Sequence, residues 1–269
     1  MVTIYRNYDD EPEDIFEPLP EELASSFYAL EMDAFTADIE FFETLLPRQA
    51  KILELGCGTG RIADRLAGSG CGRDVVGLDI SLQMLHLARN RCQATLPSPF
   101  YLCMDMLHLA FRIQFDVILI AYNTLNLLGS EKHILDCLKR CRTLLQPKGT
   151  LLLQLFIPGE DLLRRKKTFQ FQIFDRPEGG KIIKEIKKEY LPDSQSVLLE
   201  ERFRVRPLPG TSTGKDWQTS CTVAAFPAEH WFHLFRRAGF APVNVYGDYA
   251  GGPYRQSTGS TLIARLSLQ

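Results

Sequence analysis

Between residues 50 and 157 short, almost purely apolar runs alternate with amphipathic stretches, and few architectures accept that rhythm. Lys51 to Leu55, Asp74 to Leu78, Phe100 to Cys103, Phe115 to Ile120 and Thr150 to Phe156 read as strands. The last two show almost no polar alternation, the pattern of strands covered on both faces of a parallel sheet. Arg61 to Ala67, Ser81 to Cys92 and Glu131 to Leu145 read as the intervening helices. In the third, Ile134, Leu138, Cys141 and Leu145 fall on one stripe, and Pro147-Lys148-Gly149 predicts a turn after it. Strand and helix alternating at this spacing predict a parallel sheet with right-handed crossovers.

The flanking regions differ. Residues 1 to 40 hold twelve Asp or Glu against one basic residue, Arg6, and Asp9 to Glu22, with three prolines, reads as an irregular acidic arm. From Leu23 to about Leu46 the spacing predicts one helix, with Phe27, Leu30, Ala34, Phe35, Ile39 and Phe42 on its apolar side. After Phe156 the period changes to two. Thr168 to Phe174, Lys181 to Tyr190, Val197 to Val205 and Gln218 to Phe226 alternate residue by residue, as an antiparallel meander does. Ala228 to Ala238 returns to helix before Gly239, and Pro242 to Tyr246 and Ser260 to Ser267 read as closing strands. The expectation is an α/β fold: a seven-stranded, doubly wound, Rossmann-like sheet with an inserted antiparallel β layer. The divisions fall at 1–46 (arm and leading helix), 47–157 (core), 158–227 (inserted layer) and 228–269 (closing helix and strands).

Composition narrows the function. A net charge of −2 over 269 residues gives no global electrostatic grip on nucleic acid. The seven cysteines form no CxxC pair, the opening stretch lacks a charged-then-apolar leader, and no apolar run approaches the roughly 20 residues that span a bilayer. A reduced, cytoplasmic protein without membrane contact is expected, as a monomer or homodimer.

Glu54-Leu55-Gly56-Cys57-Gly58-Thr59-Gly60 lies between a predicted strand and a predicted helix. Glycines there let the backbone approach a ligand in the crevice beyond the strands' carboxyl ends. A second acid, Asp79, ends the next strand, where a carboxylate can accept both hydroxyls of a ribose. Nicotinamide-dinucleotide loops run GxGxxG and aim helix-end N–H groups at a pyrophosphate. This loop is GxGxG, and Glu54 two residues before its first glycine would repel a pyrophosphate but suits a ligand carrying an amino group and a sulfonium.

ELGCGTG followed by VVGLDIS resembles the first two motifs of the class I S-adenosylmethionine-dependent methyltransferases. Tyr101-Leu102-Cys103-Met104-Asp105-Met106, Phe115-Asp116-Val117-Ile118 leading into Ala121-Tyr122-Asn123-Thr124-Leu125, and Gln146-Pro147-Lys148-Gly149-Thr150 are similar to the later ones. The resemblance covers about residues 27 to 157 and the closing strands. It implies S-adenosyl-L-methionine as cofactor and S-adenosyl-L-homocysteine as product (EC 2.1.1.-). Gly56, Gly58 and Gly60, with Cys57 among them, would shape the loop under the ligand, and Glu54 would lie near the methionine amino group. Asp79 would take the ribose hydroxyls, Ile80 and Met84 the adenine face, Asp105 the adenine amine and Met106 the ring. Ala121 and Tyr122 would flank the methionine portion. Read without the resemblance, Asp105 could be a helix N-cap and Met84 a core residue.

Phe27-Tyr28-Ala29-Leu30-Glu31-Met32 and the tail Tyr246-Gly247-Asp248-Tyr249-Ala250-Gly251-Gly252-Pro253-Tyr254 resemble a small-molecule subgroup, sugar N-methyltransferases among them. The tail departs from that subgroup's "DFDGSP" by losing an acid at position 250. A sulfonium methyl is already activated, so in-line displacement needs no metal, and alignment in a dry site supplies much of the rate. Tyr28, Tyr122 and His230 (or His233) are the candidate acid–base residues by position.

Cys137 and Cys141, one helical turn apart, have no partner set at metal-like spacing and read as core thiols. Arg164 to Lys167 and Lys184 to Lys188 make the insert locally basic. The function expected is methyl transfer to a nitrogen or oxygen of a small-molecule acceptor, nucleic acid being disfavoured. The alternatives are a tRNA or protein methyltransferase that uses the basic insert, and a binding module that holds its ligand without turnover.

Overall fold

The computed structural model describes residues 16–92, 97–208, 210, 214–255 and 260–269. Most of the acidic arm therefore lies outside the described residues. Its last part forms a two-residue strand, β1 (Glu17–Pro18), followed by α1 (Glu21–Met32), α2 (Ala37–Leu45), β2 (Lys51–Leu55), α3 (Arg61–Gly68) and β3 (Asp74–Asp79). Then come α4 (Leu82–Cys92), β4 (Phe100–Cys103), β5 (Phe115–Ile120), α5 (Glu131–Leu144) and β6 (Leu145–Phe156). The inserted layer is α6 (Glu160–Arg165), β7 (Lys167–Asp175), β8 (Lys181–Leu191), β9 (Ser196–Arg206) and β10 (Lys215–Ala224). The chain closes with α7 (Ala228–Arg237), β11 (Phe240–Tyr246) and β12 (Thr261–Leu268).

Seven strands form one sheet in the order β11-β12-β6-β5-β2-β3-β4, in which β12 alone runs against its neighbours. Helices cover both faces. On one, Phe42, Ile62, Leu66 and Leu85 of α2, α3 and α4 pack on Ile52, Val117 and Leu152. On the other, Ile134, Leu138 and Trp231 of α5 and α7 pack on Leu53, Ile118 and Leu151. This double coverage is why the strands read as unbroken apolar runs. The order reverses between β2 and β5, so the loop after β2 opens into the crevice that such a reversal creates.

The second sheet, β1-β10-β9-β8-β7, is antiparallel apart from the short parallel pairing of Glu17 and Pro18 with Trp217 and Gln218. It is joined to the first through α1, whose Phe27 and Leu30 pack with Phe203 and Trp217. No helix among the described residues is long and apolar enough to cross a membrane.

Three expectations are corrected. The predicted helix of 23–46 is two helices, broken at residues 33 to 36, because Arg61 of α3 donates to the carbonyl of Phe35 at 2.6 Å and so takes an acceptor a continuous helix would have used. The arm around Glu17 and Pro18 is not irregular throughout but pairs with a sheet edge, a place where Pro is tolerated. Pro147-Lys148-Gly149 does not separate helix from strand: β6 begins directly at Leu145, and these residues loop out as a bulge between the Phe115–Leu145 and Val117–Thr150 pairs.

Candidate ligand and acceptor site

The loop between β2 and α3 runs through three left-handed glycines, Gly56, Gly58 and Gly60, at φ +68°, +54° and +74°. A Cβ at Gly56 would collide with the Thr124 side chain, and one at Gly60 with the Tyr101 hydroxyl. Cys57 between them is buried, and desolvation pushes its thiol far up, so it stays protonated. Asp79 clamps the loop: Oδ2 accepts from the Gly58 N–H at 2.8 Å, and Oδ1 from the Ser81 N–H at 2.9 Å. Each oxygen retains a lone pair for a further donor.

Ile80, 71% exposed, stands beside that clamp with Met84 on the first turn of α4. Asp105 caps a short 3-10 turn, accepting from the Leu107 N–H at 2.8 Å, and His108 Nδ1 lies 3.0 Å from its other oxygen. The backbone N–H of Leu107 is the larger cause holding its carboxyl below the usual range. Asp105 is therefore an N-cap in this structure, while Met106 packs against the main core.

Glu54, next to last in β2, is almost wholly buried, and its Oε2 has no hydrogen-bond partner. Desolvation pushes its pKa up to about 8, with Arg61 opposing and Asp38 adding to the rise. Asp38 and Arg61 form a buried pair through contacts of 2.9 and 2.6 Å, tying α2 to the start of α3.

Ala121 is buried, and Tyr122 follows it at φ +48°, a conformation costly for a bulky residue. Its N–H donates to Gln154 Oε1 at 2.9 Å, and the Tyr249 hydroxyl donates to the same oxygen at 2.6 Å. The Tyr28 ring meets Tyr122 edge-on at 6.3 Å. Burial pushes both phenols above their ordinary pKa, so both stay protonated at neutral pH. Tyr249 also packs its ring on Phe35, Phe41 and Phe42. Tyr249→Phe should cost about 1 kcal/mol in urea unfolding and Tyr249→Ala about 3 kcal/mol, separating hydroxyl from ring.

His230 lies between α5 and α7, stacked on Phe226 at 4.4 Å with Nε2 2.9 Å from Glu131 Oε2, and His233 is exposed on the same helix. Gln154, Tyr249, Asp38 and Arg61 were not anticipated as site residues. Gln154 had a sequence sign, a single amide within Leu151 to Phe156. Arg61 entered the sequence reading only as the first residue of a predicted helix.

Residues 52–149 match the methyltransferase domain family. The putative methyltransferase YqeM of Bacillus subtilis is 36% identical over 114 residues, 42% of this chain and 45% of that protein, so the chain matches under half the length of this curated relative. Among solved structures, an S-adenosylmethionine-dependent methyltransferase from Clostridium acetobutylicum superposes with a TM-score of 0.74 at 16% identity, covering 92% of this chain and 98% of the other. The sugar N-methyltransferase KedS8 from Streptoalloteichus gives 0.71 at 15% identity and 99% of both chains. At such identities the likeness shows the fold.

Proposed function

From a chain whose residues 52–149 carry a methyltransferase domain and whose fold is that of S-adenosylmethionine-dependent methyltransferases, we propose an enzyme that methylates a nitrogen or oxygen of a small-molecule acceptor. The observation that carries the reading is the unpartnered carboxylate oxygen of Glu54, buried beside a loop whose three glycines hold left-handed backbone. A buried carboxyl oxygen without a partner is costly, and a ligand's ammonium group would relieve it. When bound, S-adenosylmethionine supplies a methyl group activated by its sulfonium.

The chain's own residues do the rest. Asp79, preorganised by two backbone N–H groups, accepts the ribose hydroxyls, and Ile80 and Met84 offer apolar surface to the base. Tyr122, its backbone held by Gln154, and Tyr28 bound the space in front of the loop. The five-stranded sheet roofs that space and excludes water, which strengthens polar contacts within it. A macromolecular acceptor has weaker support, because the insert's cations are largely matched by acids. Arg164 and Arg165 lie on Asp161, Lys167 on Glu189 and Lys187 on Glu200.

Calorimetric titration with S-adenosylmethionine, S-adenosylhomocysteine and NAD tests the cofactor, followed by a product assay across small amine and hydroxyl acceptors. The first two should bind and NAD should not. Asp79→Ala should weaken the binding by about 1–3 kcal/mol. Binding of NAD alone would overturn the reading, and S-adenosylmethionine binding without product for any acceptor would favour the binding module.

A further inference from the structure

Gln154 is the one amide inside the otherwise apolar run Leu151 to Leu155 of β6, and it is 4% exposed. Its carboxamide has partners in two other segments. Oε1 accepts from the Tyr122 N–H at 2.9 Å and from the Tyr249 hydroxyl at 2.6 Å, and Nε2 donates to Asn123 Oδ1 at 3.2 Å. The Tyr122 N–H can only donate, and burial keeps the Tyr249 phenol protonated, so the amide has a single orientation. The two residues it grips after β5 both hold left-handed backbone, Tyr122 at φ +48° and Asn123 at φ +63°. Asn tolerates that region, whereas Tyr is strained in it, and such strain persists only where neighbours over-determine the conformation. A second amide, Asn126, fastens the far end of the turn to the Phe156 carbonyl at 3.0 Å.

The gripped turn stands against the glycine loop. Thr124 occupies the space a Cβ on Gly56 would need, and Tyr28 neighbours both Gly58 and the Tyr122 ring. Tyr249 arrives from the segment between β11 and β12 and packs on Phe35, Phe41 and Phe42, so the same amide oxygen also fixes that segment against the break between α1 and α2. Tyr28, Tyr122 and Tyr249 all sense the charges of Arg61 and Asp38, as Glu54 does, which puts the amide at the end of the crevice where Glu54 keeps an unpartnered oxygen. We propose that Gln154 is a positioning residue for methyl transfer: it locks the strained Tyr122–Asn123 turn and the Tyr249 segment in one arrangement, and so sets the wall that meets the amino-acid half of S-adenosylmethionine. The assignment rests on the reading that places that half beside Glu54 and Tyr122. The adenosine half, held by Asp79 and Ile80 in the same reading, does not depend on the amide.

The test is calorimetric titration of the full chain with S-adenosylhomocysteine and, separately, with 5′-methylthioadenosine, which keeps the adenine, ribose and thioether but lacks the amino-acid half. Wild type, Gln154→Met, Gln154→Glu and Tyr249→Phe are compared. Gln154→Met keeps the length without the amide; it should weaken S-adenosylhomocysteine about tenfold or more and change 5′-methylthioadenosine less than about twofold. Gln154→Glu still accepts from Tyr122 and Tyr249, and should bring S-adenosylhomocysteine back to within about threefold of wild type. A merely structural amide would weaken both ligands alike in Gln154→Met, or neither, and either result overturns the proposal. So does a Gln154→Glu variant that binds as weakly as Gln154→Met. Should Gln154→Met fail to fold, Tyr249→Phe decides: a loss of about threefold confined to S-adenosylhomocysteine supports the role, and an equal or absent loss overturns it. If S-adenosylhomocysteine fails to bind wild type, the cofactor reading falls, and the positioning role with it. If it binds wild type no tighter than 5′-methylthioadenosine does, the cofactor stands and the placement of its amino-acid half, with the role of Gln154, falls alone.

Discussion

Arg61→Ala should destabilise the fold by about 3–5 kcal/mol, the range for removing one partner of a buried ion pair. Asp38 is fully buried, and its two oxygens face the Arg61 guanidinium at 2.9 and 2.6 Å. Without that cation the aspartate must be buried unpaired or take up a proton. The Phe35 carbonyl loses its donor in the same step, so the break between α1 and α2 loses its fastening. Glu54 also loses the positive charge that most opposes its desolvation, so its pKa should rise further. The pair Asp38→Leu with Arg61→Met should recover most of the loss, because well-packed apolar replacements of buried ion pairs are often neutral or better. Urea unfolding of both variants checks this. A loss under about 1 kcal/mol in Arg61→Ala would show that the pair does not hold the leading helices.

Glu54→Gln should weaken S-adenosylmethionine binding roughly ten- to hundredfold, the loss of about 1.5–3 kcal/mol from a hydrogen bond to a charged group. The stronger sign is in protons. Glu54 has a folded pKa of about 8, raised by burial from an ordinary 4.5. Below the ordinary value both folded and unfolded chains hold the proton, and stability from this group is at its full level. As pH rises from there toward 8 the unfolded chain ionises first, so the contribution is progressively lost. A cationic ligand group beside the carboxylate reverses the shift, so binding near pH 7 should release close to one proton. Calorimetry in buffers of different ionisation enthalpy reads that number directly. Glu54→Gln should abolish the release, and a wild-type value near zero would remove Glu54 from the ligand's amino end.

The glycine loop and its clamp were legible in the sequence because they are built from nearly consecutive residues. The glycines after β2 are required by left-handed backbone and by Thr124 and Tyr101 at close approach, and an acid at the end of β3 clamps the loop through backbone N–H groups. Both are local devices whose residue types are nearly dictated by their geometry. The inserted sheet is different. Lys184 and Lys188 alternate along an ordinary-looking strand, and their meaning depends on Glu31, Glu201 and Phe156, which come from three other elements. The same holds for His230, whose contacts with Phe226 and Glu131 come from a neighbouring loop and from α5.

By itself, the sequence determined the parallel core, its order of strands and helices, the antiparallel insert and the glycine loop, because each follows from periodicity or from backbone conformation within a few residues. Tertiary structure alone decided where the leading helix breaks, and that Glu54 is buried with one oxygen lacking a hydrogen-bond partner. Those outcomes turn on desolvation and on long-range partners. Residue type does not carry that information, since one charged side chain can be a solvated surface group or a buried, unpaired one depending only on what the fold packs against it.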